Sequence, residues 1–253
     1  GVSTLAYTAC CLWCLGYPDQ SSKRSQEALA LAQELGHAFS LADVLCYGGS
    51  VLDHMRRDMI ALKEHSEALI RSVEKIGVLS FKGTGNCYLG AALTYLGKTG
   101  EGIAHILQGL EIRKRKSVRC TSLGILGALA EAEEKAGNSE EGMTTLTRAI
   151  AMAEETGERY YEAELFRMQG DFLLRRGDEC SAEASLRKAI DVASRQSAKS
   201  WELRAAIGLA RLWQKQGKRD DAHEMLAEIY GWFSEGFDTP DLREARALIE
   251  ELA

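Results

Sequence analysis

Proline is nearly missing from this sequence: Pro18 and Pro240 are the only two in 253 residues. Proline removes a helix hydrogen bond and clashes with the preceding turn, so its scarcity leaves room for helix almost throughout. A long apolar run is missing too. The uncharged opening, Gly1 to Pro18, is interrupted by Ser3, Thr4 and Thr8. It falls short of the ~20 apolar residues that a membrane span requires. It also lacks the basic lead-in and cleavage pattern of a secretory leader. Positive charge is in deficit, with 31 Lys and Arg against 37 Asp and Glu and a net charge of −6. That balance argues against general nucleic-acid binding. Apolar residues are not scarce: they make up 45% of the chain beside 27% charged residues, which excludes a disordered polypeptide.

Cysteine is plentiful, at Cys10, Cys11, Cys14, Cys46, Cys87, Cys120 and Cys180. The count is odd, the chain is large and no leader precedes it. These features predict a reducing, cytoplasmic setting with buried thiols. The chain opens at Gly1 and runs at once into a helical apolar pattern, as a fragment of a longer protein would.

An internal repeat organises the rest. Gly97, Gly137, Gly177 and Gly217 recur with a constant period (137 − 97 = 40), each after a helical run and before a polar residue. Glycine suits the left-handed position just past a helix end. Gly77, Ser117, Gly157 and Ser197 form a second series half a period out of phase. The unit is therefore helix, tight turn, helix, turn. Within it, Gly90, Ala130, Gly170 and Ala210 share one phase, and Gly102, Gly142, Ala182 and Ala222 another. Four positions on come Ile106, Leu146, Leu186 and Leu226, then three further Gly109, Ala149, Ala189 and Ile229. Small, large and small residues at spacings of four and three lie on one helical face and let paired helices approach closely.

That spacing resembles the tetratricopeptide repeat, best in Tyr160 to Gln196 through Gly170, Ala182, Leu186 and Ala189. The repeat there is usually about 34 residues long, so the longer period here implies longer helices. The expected fold is all-α: a right-handed α-solenoid of six helix hairpins and a capping helix, forming one repeat domain over 1–253. The approximate repeats are 1–36, 38–77, 78–117, 118–157, 158–197 and 198–232, with the cap at 239–252. Arg57 stands where the turn glycine of the second hairpin belongs, and Thr239 with Pro240 makes a good start for the last helix. No equivalent cap precedes Gly1, so Leu5, Leu12 and Trp13 should form an exposed apolar face through which two copies could pair.

Catalytic signatures are thin. Ala92 to Thr99 fits a relaxed phosphate-loop pattern, but its interior is bulky and helical. Gly97 is already a repeat turn. Gly83-Thr-Gly85 is a broken dinucleotide fingerprint that reads as irregularity at a helix start. Cys10 and Cys14 share a helical face but lack nearby partners for zinc, so they read as small apolar filler. His37, His54, His65, His105 and His223 form no metalloprotease or nucleophile-elbow motif. Glu164 and Asp171 have Arg167 and Arg175 at helical spacing, which reads as solvated ion pairs. Arg113-Lys-Arg-Lys116 with Arg119 is the one basic run, placed where cations suit a helix C-terminus. No catalytic residue, cofactor or metal is expected. A metal enzyme using His54 or Cys10 and Cys14 is the remote alternative.

The tetratricopeptide resemblance implies that five phases of each first helix face a concave groove. They are Val44, Tyr47, Val51, His54 and Met55 in the second hairpin, and Thr84, Cys87, Ala91, Thr94 and Tyr95 in the third. In the fifth they are Glu164, Arg167, Asp171, Leu174 and Arg175; in the sixth, Arg204, Ile207, Arg211, Gln214 and Lys215. The groove would be apolar and aromatic in its middle and basic at its C-terminal end, fit for a protein or peptide with an acidic end.

A closer resemblance lies in four phrases. They are Gly157-Glu-Arg-Tyr-Tyr-Glu-Ala-Glu-Leu-Phe-Arg-Met-Gln-Gly170, Gln196-Ser-Ala-Lys-Ser-Trp-Glu-Leu-Arg-Ala-Ala206, Leu209-Ala-Arg-Leu-Trp-Gln-Lys-Gln-Gly217 and Tyr230-Gly-Trp-Phe-Ser-Glu-Gly-Phe-Asp-Thr-Pro-Asp-Leu242. With Leu12-Trp-Cys-Leu-Gly-Tyr-Pro-Asp19, they look like the helical tail of bacterial proteins that join a class III adenylate/guanylate cyclase domain to an AAA-type ATPase. Related tails also follow the ATPase modules of transcription regulators. The resemblance implies a non-catalytic regulatory module that relays ligand or protein binding to upstream domains of a parent chain. A free-standing peptide-binding scaffold is the alternative.

Overall fold

The computed structural model describes residues 1–115 and 122–253, with Lys75 and Ile76 described by backbone alone. Among them every regular element is helical: α1 (Val2–Cys14), α2 (Pro18–Leu35), α3 (Ala38–Val44), α4 (Leu52–Arg56), α5 (Met59–Ile76), α6 (Leu79–Tyr95) and α7 (Thr99–Arg115). Then follow α8 (Ser122–Lys135), α9 (Ser139–Thr156), α10 (Glu162–Arg175), α11 (Glu179–Arg195), α12 (Lys199–Lys215), α13 (Arg219–Tyr230) and α14 (Pro240–Leu252). Two compact units result. The first holds Gly1–Trp13 and Gln20–Thr145, the second Cys14–Asp19 and Leu146–Ala253.

The turns are made as the periodicity predicts. Gly97, Gly137, Gly177 and Gly217 have φ of 84°, 85°, 81° and 79°. Each turn closes with a hydrogen bond reaching back over it: Lys98 N–H donates to Leu93, Asn138 to Glu133, Asp178 to Leu173 and Lys218 to Trp213, at 2.8–3.0 Å. These bonds satisfy carbonyls that a helix end would otherwise leave orphaned. Gly77 and Gly157 serve the intervening series, and Ser197 does so at φ 54°; Ser117 lies outside the described residues.

The small-residue phases are where helices meet most closely. A Cβ on Gly170 of α10 would lie 2.7 Å from Leu186 Cγ of α11. In the first unit, a Cβ on Gly90 of α6 would strike the Gly102 carbonyl of α7. Gly83 faces Arg113 and Gly109 at the other end of the same hairpin, and Gly85 faces Ile70 of α5. Gly83 and Gly85 are therefore packing glycines inside α6, which corrects their reading as irregularity at a helix start. Ile106, Leu146, Leu186 and Leu226 are fully buried.

One hairpin departs from the period. Left-handed residues stand at Gly16, Gly36, Arg57, Gly77 and Gly97. Successive positions are evenly spaced (36 − 16 = 20) except across the second hairpin (57 − 36 = 21). The extra residue is absorbed between α3 and α4, where Leu45–Val51 is π-helical. A π-helical turn bonds i to i+5 and so takes in one residue more than an α turn. The Ser50 hydroxyl donates to the Leu45 carbonyl at 3.1 Å within it. The groove phases expected from a constant period therefore hold only after the wide turn. Val44, before it, packs instead with Val2, Ala6, Ala28 and Ala32 in a local core.

In the second unit, α12, α13 and α14 enclose Leu203, Leu209, Trp213, Leu226, Leu242 and Leu248 in one core. The segment that breaks the period, Tyr230 to Pro240, folds around Cys14–Asp19. A Cβ on Gly16 would lie 2.6 Å from the Trp232 ring. The Asp19 carboxylate accepts from Gly236 N–H at 3.1 Å, and Asp19 N–H donates to Glu235 at 3.0 Å. The expected exposed N-terminal face is corrected too: Trp13 is only 4% exposed, and Leu5 and Leu12 are half-buried.

Gly137 and Ser197 test the turns separately from packing. A Cβ on Gly137 would meet nothing within 4 Å, so Gly137→Ala should cost only the left-handed penalty, roughly 1–2 kcal/mol. Ser197→Gly should move stability the other way by a similar amount. Urea unfolding of both variants checks the pair of signs.

Candidate functional site

His54 ends the first helix of the second hairpin, Thr94 and Tyr95 end that of the third, and Glu131 and Lys135 end α8. Among the described residues they come together, with Met59, Ala91 and Ala128, around a small open recess in the first unit. Its floor is apolar because Ala91 and Ala128 meet there, Ala91 standing at the phase that holds Asp171 and Arg211 in later hairpins. The Thr94 hydroxyl is turned inward to the Gly90 carbonyl at 3.0 Å. The His54 ring is buried and tilts against Tyr88 with centroids 5.3 Å apart. Tyr95 is 60% exposed and carries the Lys135 ammonium 5.3 Å above its ring. Lys135 is also paired with Glu131 at 3.2 Å. Charge at the rim is thus paired, and Tyr95 is the exposed ring beside it. Tyr47 is half-buried, its ring 4.6 Å from that of Tyr7 on α1. Val51 is buried.

Next to His54 along the chain, Asp53 makes a half-buried ion pair. Asp53 Oδ2 lies 2.6 Å from His65 Nδ1 of α5, with the Asp53 side chain 5% exposed. Burial pushes the Asp53 carboxyl up against the pull of His65. The hydrogen bond to Asp53 raises His65 above its ordinary 6.5, against its own burial. The signal for this pair in the sequence was weak, since His65 matches no motif.

The second unit shows the opposite use of charge. Arg204 of α12 is buried against Trp201, with its guanidinium carbon 4.9 Å from the ring centroid. It donates to Asp241 of α14 at 3.0 Å and to Glu164 of α10 at 3.5 Å. Arg167 grips both Glu164 oxygens at 2.8 and 2.9 Å and reaches Asp171 at 2.5 Å. Burial pulls the Arg204 guanidinium down, but Asp241 and Glu164 outweigh it and hold it charged. Arg211 pairs with Glu244 at 3.0 Å and Lys215 with Glu179 at 2.6 Å. Arg175 lies over the Phe172 ring at 5.8 Å. At the expected basic end of the groove, Arg167, Arg204, Arg211 and Lys215 already have carboxylates of their own chain. The expected solvated pair Glu164–Arg167 is corrected, because Glu164 is buried and Arg204 of α12 pairs with it.

The remaining candidates resolve into packing. Arg113 is 2% exposed and donates to the Thr84 hydroxyl at 2.6 Å and the Ser122 hydroxyl at 3.3 Å. It ties α6, α7 and α8 rather than facing a nucleic acid. Lys116, Arg119 and Cys120 lie outside the described residues. Cys10 donates to the Tyr47 carbonyl at 3.2 Å, and Cys11 is exposed. Burial pushes the Cys87 thiol up to about 12, which leaves no thiolate for nucleophilic work. Among the described residues no His, Cys, Asp or Glu gather in threes as metal ligands, and no helix is long and apolar enough to cross a membrane.

No family model matches the chain. A curated protein of Rhizobium meliloti (strain 1021), itself uncharacterized, is 26% identical over 219 residues. The match covers 83% of this chain, which spans only 20% of that relative's length. Among solved structures, a Rap protein complexed with Competence and Sporulation Factor is similar at a TM-score of 0.67 and 15% identity, covering 99% of this chain and 79% of that one. The apo form of RapI is similar at 0.64 and 14%, covering 99% and 83%. A Signal Transduction ATPase with Numerous Domains from Pyrococcus horikoshii, which carries a tetratricopeptide repeat sensor, gives 0.53 and 14%, covering 91% of this chain and 42% of that one. At these identities the likeness is one of fold, an all-α solenoid of helix hairpins.

Two measurements follow from the charges. Arg204→Ala should cost about 3–5 kcal/mol, as removal of one member of a buried pair does, whereas exposed Arg211→Ala should cost under about 1 kcal/mol. Because His65 is raised in the folded chain, its contribution is fully present below pH 6.5 and is lost as pH rises through the folded value. The gap in urea midpoint between wild type and His65→Gln should therefore narrow as pH rises above 6.5.

Proposed function

We propose that this chain is a non-catalytic binding and regulatory repeat module that holds an extended peptide segment on the first-helix surface of its first unit. Tyr95 and the edge of His54 form its binding face, with Ala91 and Ala128 as the floor; Tyr47 and Val51, expected beside them, lie within the wide turn and outside the recess. The observation that carries this reading is the contrast in charge. Around the recess the side chains are aromatic, apolar or mutually neutralised, whereas Arg167, Asp171, Arg204, Arg211 and Lys215 are engaged with one another and with their neighbours. An uncharged segment loses little hydration on entering the first surface, while a charged one would have to displace formed ion pairs in the second. Arg175 belongs to this stabilising frame. The Rap complex, similar in fold, lends support to a peptide as partner.

The finer reading is that the module is the C-terminal regulatory tail of a cytoplasmic signalling cyclase or ATPase. Support comes from the phrases after Gly157, from a fold shared with a sensor-bearing signalling ATPase, and from a relative of which the chain spans only 20%. The partner would then reach upstream catalytic domains through the repeat array.

Selection of short phage-displayed peptides on the purified chain tests the binding face. The expected winners are apolar with little net charge. Their affinity should fall at least tenfold in His54→Ala and Tyr95→Ala but not in Arg211→Ala. Winners that are acidic and depend on Arg211 or Lys215 would overturn the assignment, and no enrichment would overturn peptide binding itself. The reading frame upstream of Gly1 tests the tail: cyclase or ATPase motifs support it, and a start codon immediately before Gly1 removes it.

A further inference from the structure

We propose that the π-helical turn Leu45–Val51 sets which side chains of its hairpin meet the partner, and that Asp53 and His65 are the positioning residues that fix its place. This rests on the binding face proposed above and deepens it. The longer interval from Gly36 to Arg57 forces one extra residue into this helix. Where the extra residue is absorbed is not fixed by the interval. A helix turns about 100° per residue, so moving the wide turn past a side chain swings that side chain by the same angle. His54 lines the recess only because the wide turn lies wholly before it.

The packing of α5 shows what holds the turn there. Two successive residues grip it. The His65 ring fills the space beside Gly49, where a Cβ would lie 2.9 Å from His65 Cγ. Its Nδ1 lies 2.6 Å from Oδ2 of Asp53, the residue just before His54. Ser66 donates to the Ser50 hydroxyl at 3.1 Å. If the wide turn moved past His54, Asp53 would swing off His65 and stay buried without its cation, a costly state. The charged groups acting on the pair are few: Arg56 and Asp58 beside Asp53, and Glu64 and Asp58 beside His65. His65, raised by its hydrogen bond to Asp53, is the switchable member.

The test is an amide and imidazole NMR titration of the full chain from pH 5.5 to 8.5, in wild type and His65→Gln. We expect the backbone signals of Leu45 to His54 to move with the His65 midpoint, and that movement to vanish in His65→Gln. Signals of 45–54 that stay still while His65 titrates would overturn the proposal. Deletion of Gly49 supplies the second arm by restoring the regular interval. The helix should then be regular, and peptides selected on wild type should bind at least tenfold more weakly. Undiminished binding by a folded deletion variant would overturn the proposal. If that variant does not fold, the titration decides. If no peptide is selected, the binding face fails, while the titration still judges the positioning role on its own.

Discussion

Each helix of this chain must turn back after the same length, because the helix that follows packs through small residues set at fixed distances from the turn. Gly170 against Leu186 and Gly90 against Gly102 leave no room for a Cβ. A hairpin one residue too long would carry a large side chain into that contact. The turn is therefore held from both sides, by a residue of positive φ and by a hydrogen bond back over it, as at Gly177 and from Asp178 to Leu173. Glycine is used where the Cβ would meet open space, as at Gly137, so its role there is conformational rather than steric. Arg57 and Ser197 adopt the same conformation at some cost, which shows that the length constraint outweighs the preference of the individual residue.

The same constraint explains the one irregular helix. An additional residue in a free-standing helix would lengthen it harmlessly. Here both ends are fixed, so the residue must be stored inside, and a π-helical turn is the least disruptive store. Gly48 and Gly49 let α1 and α5 come close to the widened backbone: a Cβ on Gly48 would be 3.5 Å from Ala6, and on Gly49 3.0 Å from His65 Cβ. Storage in this place puts Asp53 against His65 and His54 into the recess. In the proposed reading, a purely geometrical mismatch thereby bears on the binding face.

The helices, their turns and the close-approach positions were legible in the sequence because each leaves a signal repeated at one period: the glycines of the turns, and Ile106, Leu146, Leu186 and Leu226. The π-helical turn was not legible: the interval from Gly36 to Arg57 is one residue longer, but an interval does not say where or how the residue is stored, and a constant period misplaced Val44. Contacts between residues far apart in sequence were not legible. Arg204 meets Asp241 from another helix pair, and nothing local marks Asp241 as more than a helix-start acid. Arg113 sits in a run of basic residues whose appearance is that of an exposed patch, yet its guanidinium is held by hydroxyls of α6 and α8. The composition of a helix face says which residues are polar, but not which of them another helix will cover.

This difference in how charge is used connects fold to function. A repeat array needs polar side chains on its first helices to stay in solution, and in the second unit they lock α10, α12 and α14 together through Glu164, Arg204 and Asp241. Such a buried network adds specificity of arrangement more than net stability, since its Coulomb gain is set against desolvation. It resists deformation, because any shift of one helix exposes an unpaired charge. Around the recess of the first unit, Ala91 and Ala128 meet through small apolar side chains, and the rim carries the pair Lys135–Glu131. Contacts of that kind can yield to a partner at small cost, and the local electrostatic tie, Asp53 to His65, lies next to His54 along the chain rather than in the recess lining. If the chain registers a partner as proposed, this division suits it: a recess lined by small side chains, a unit tied by buried charge beyond it in sequence, and one protonatable contact beside the wide turn.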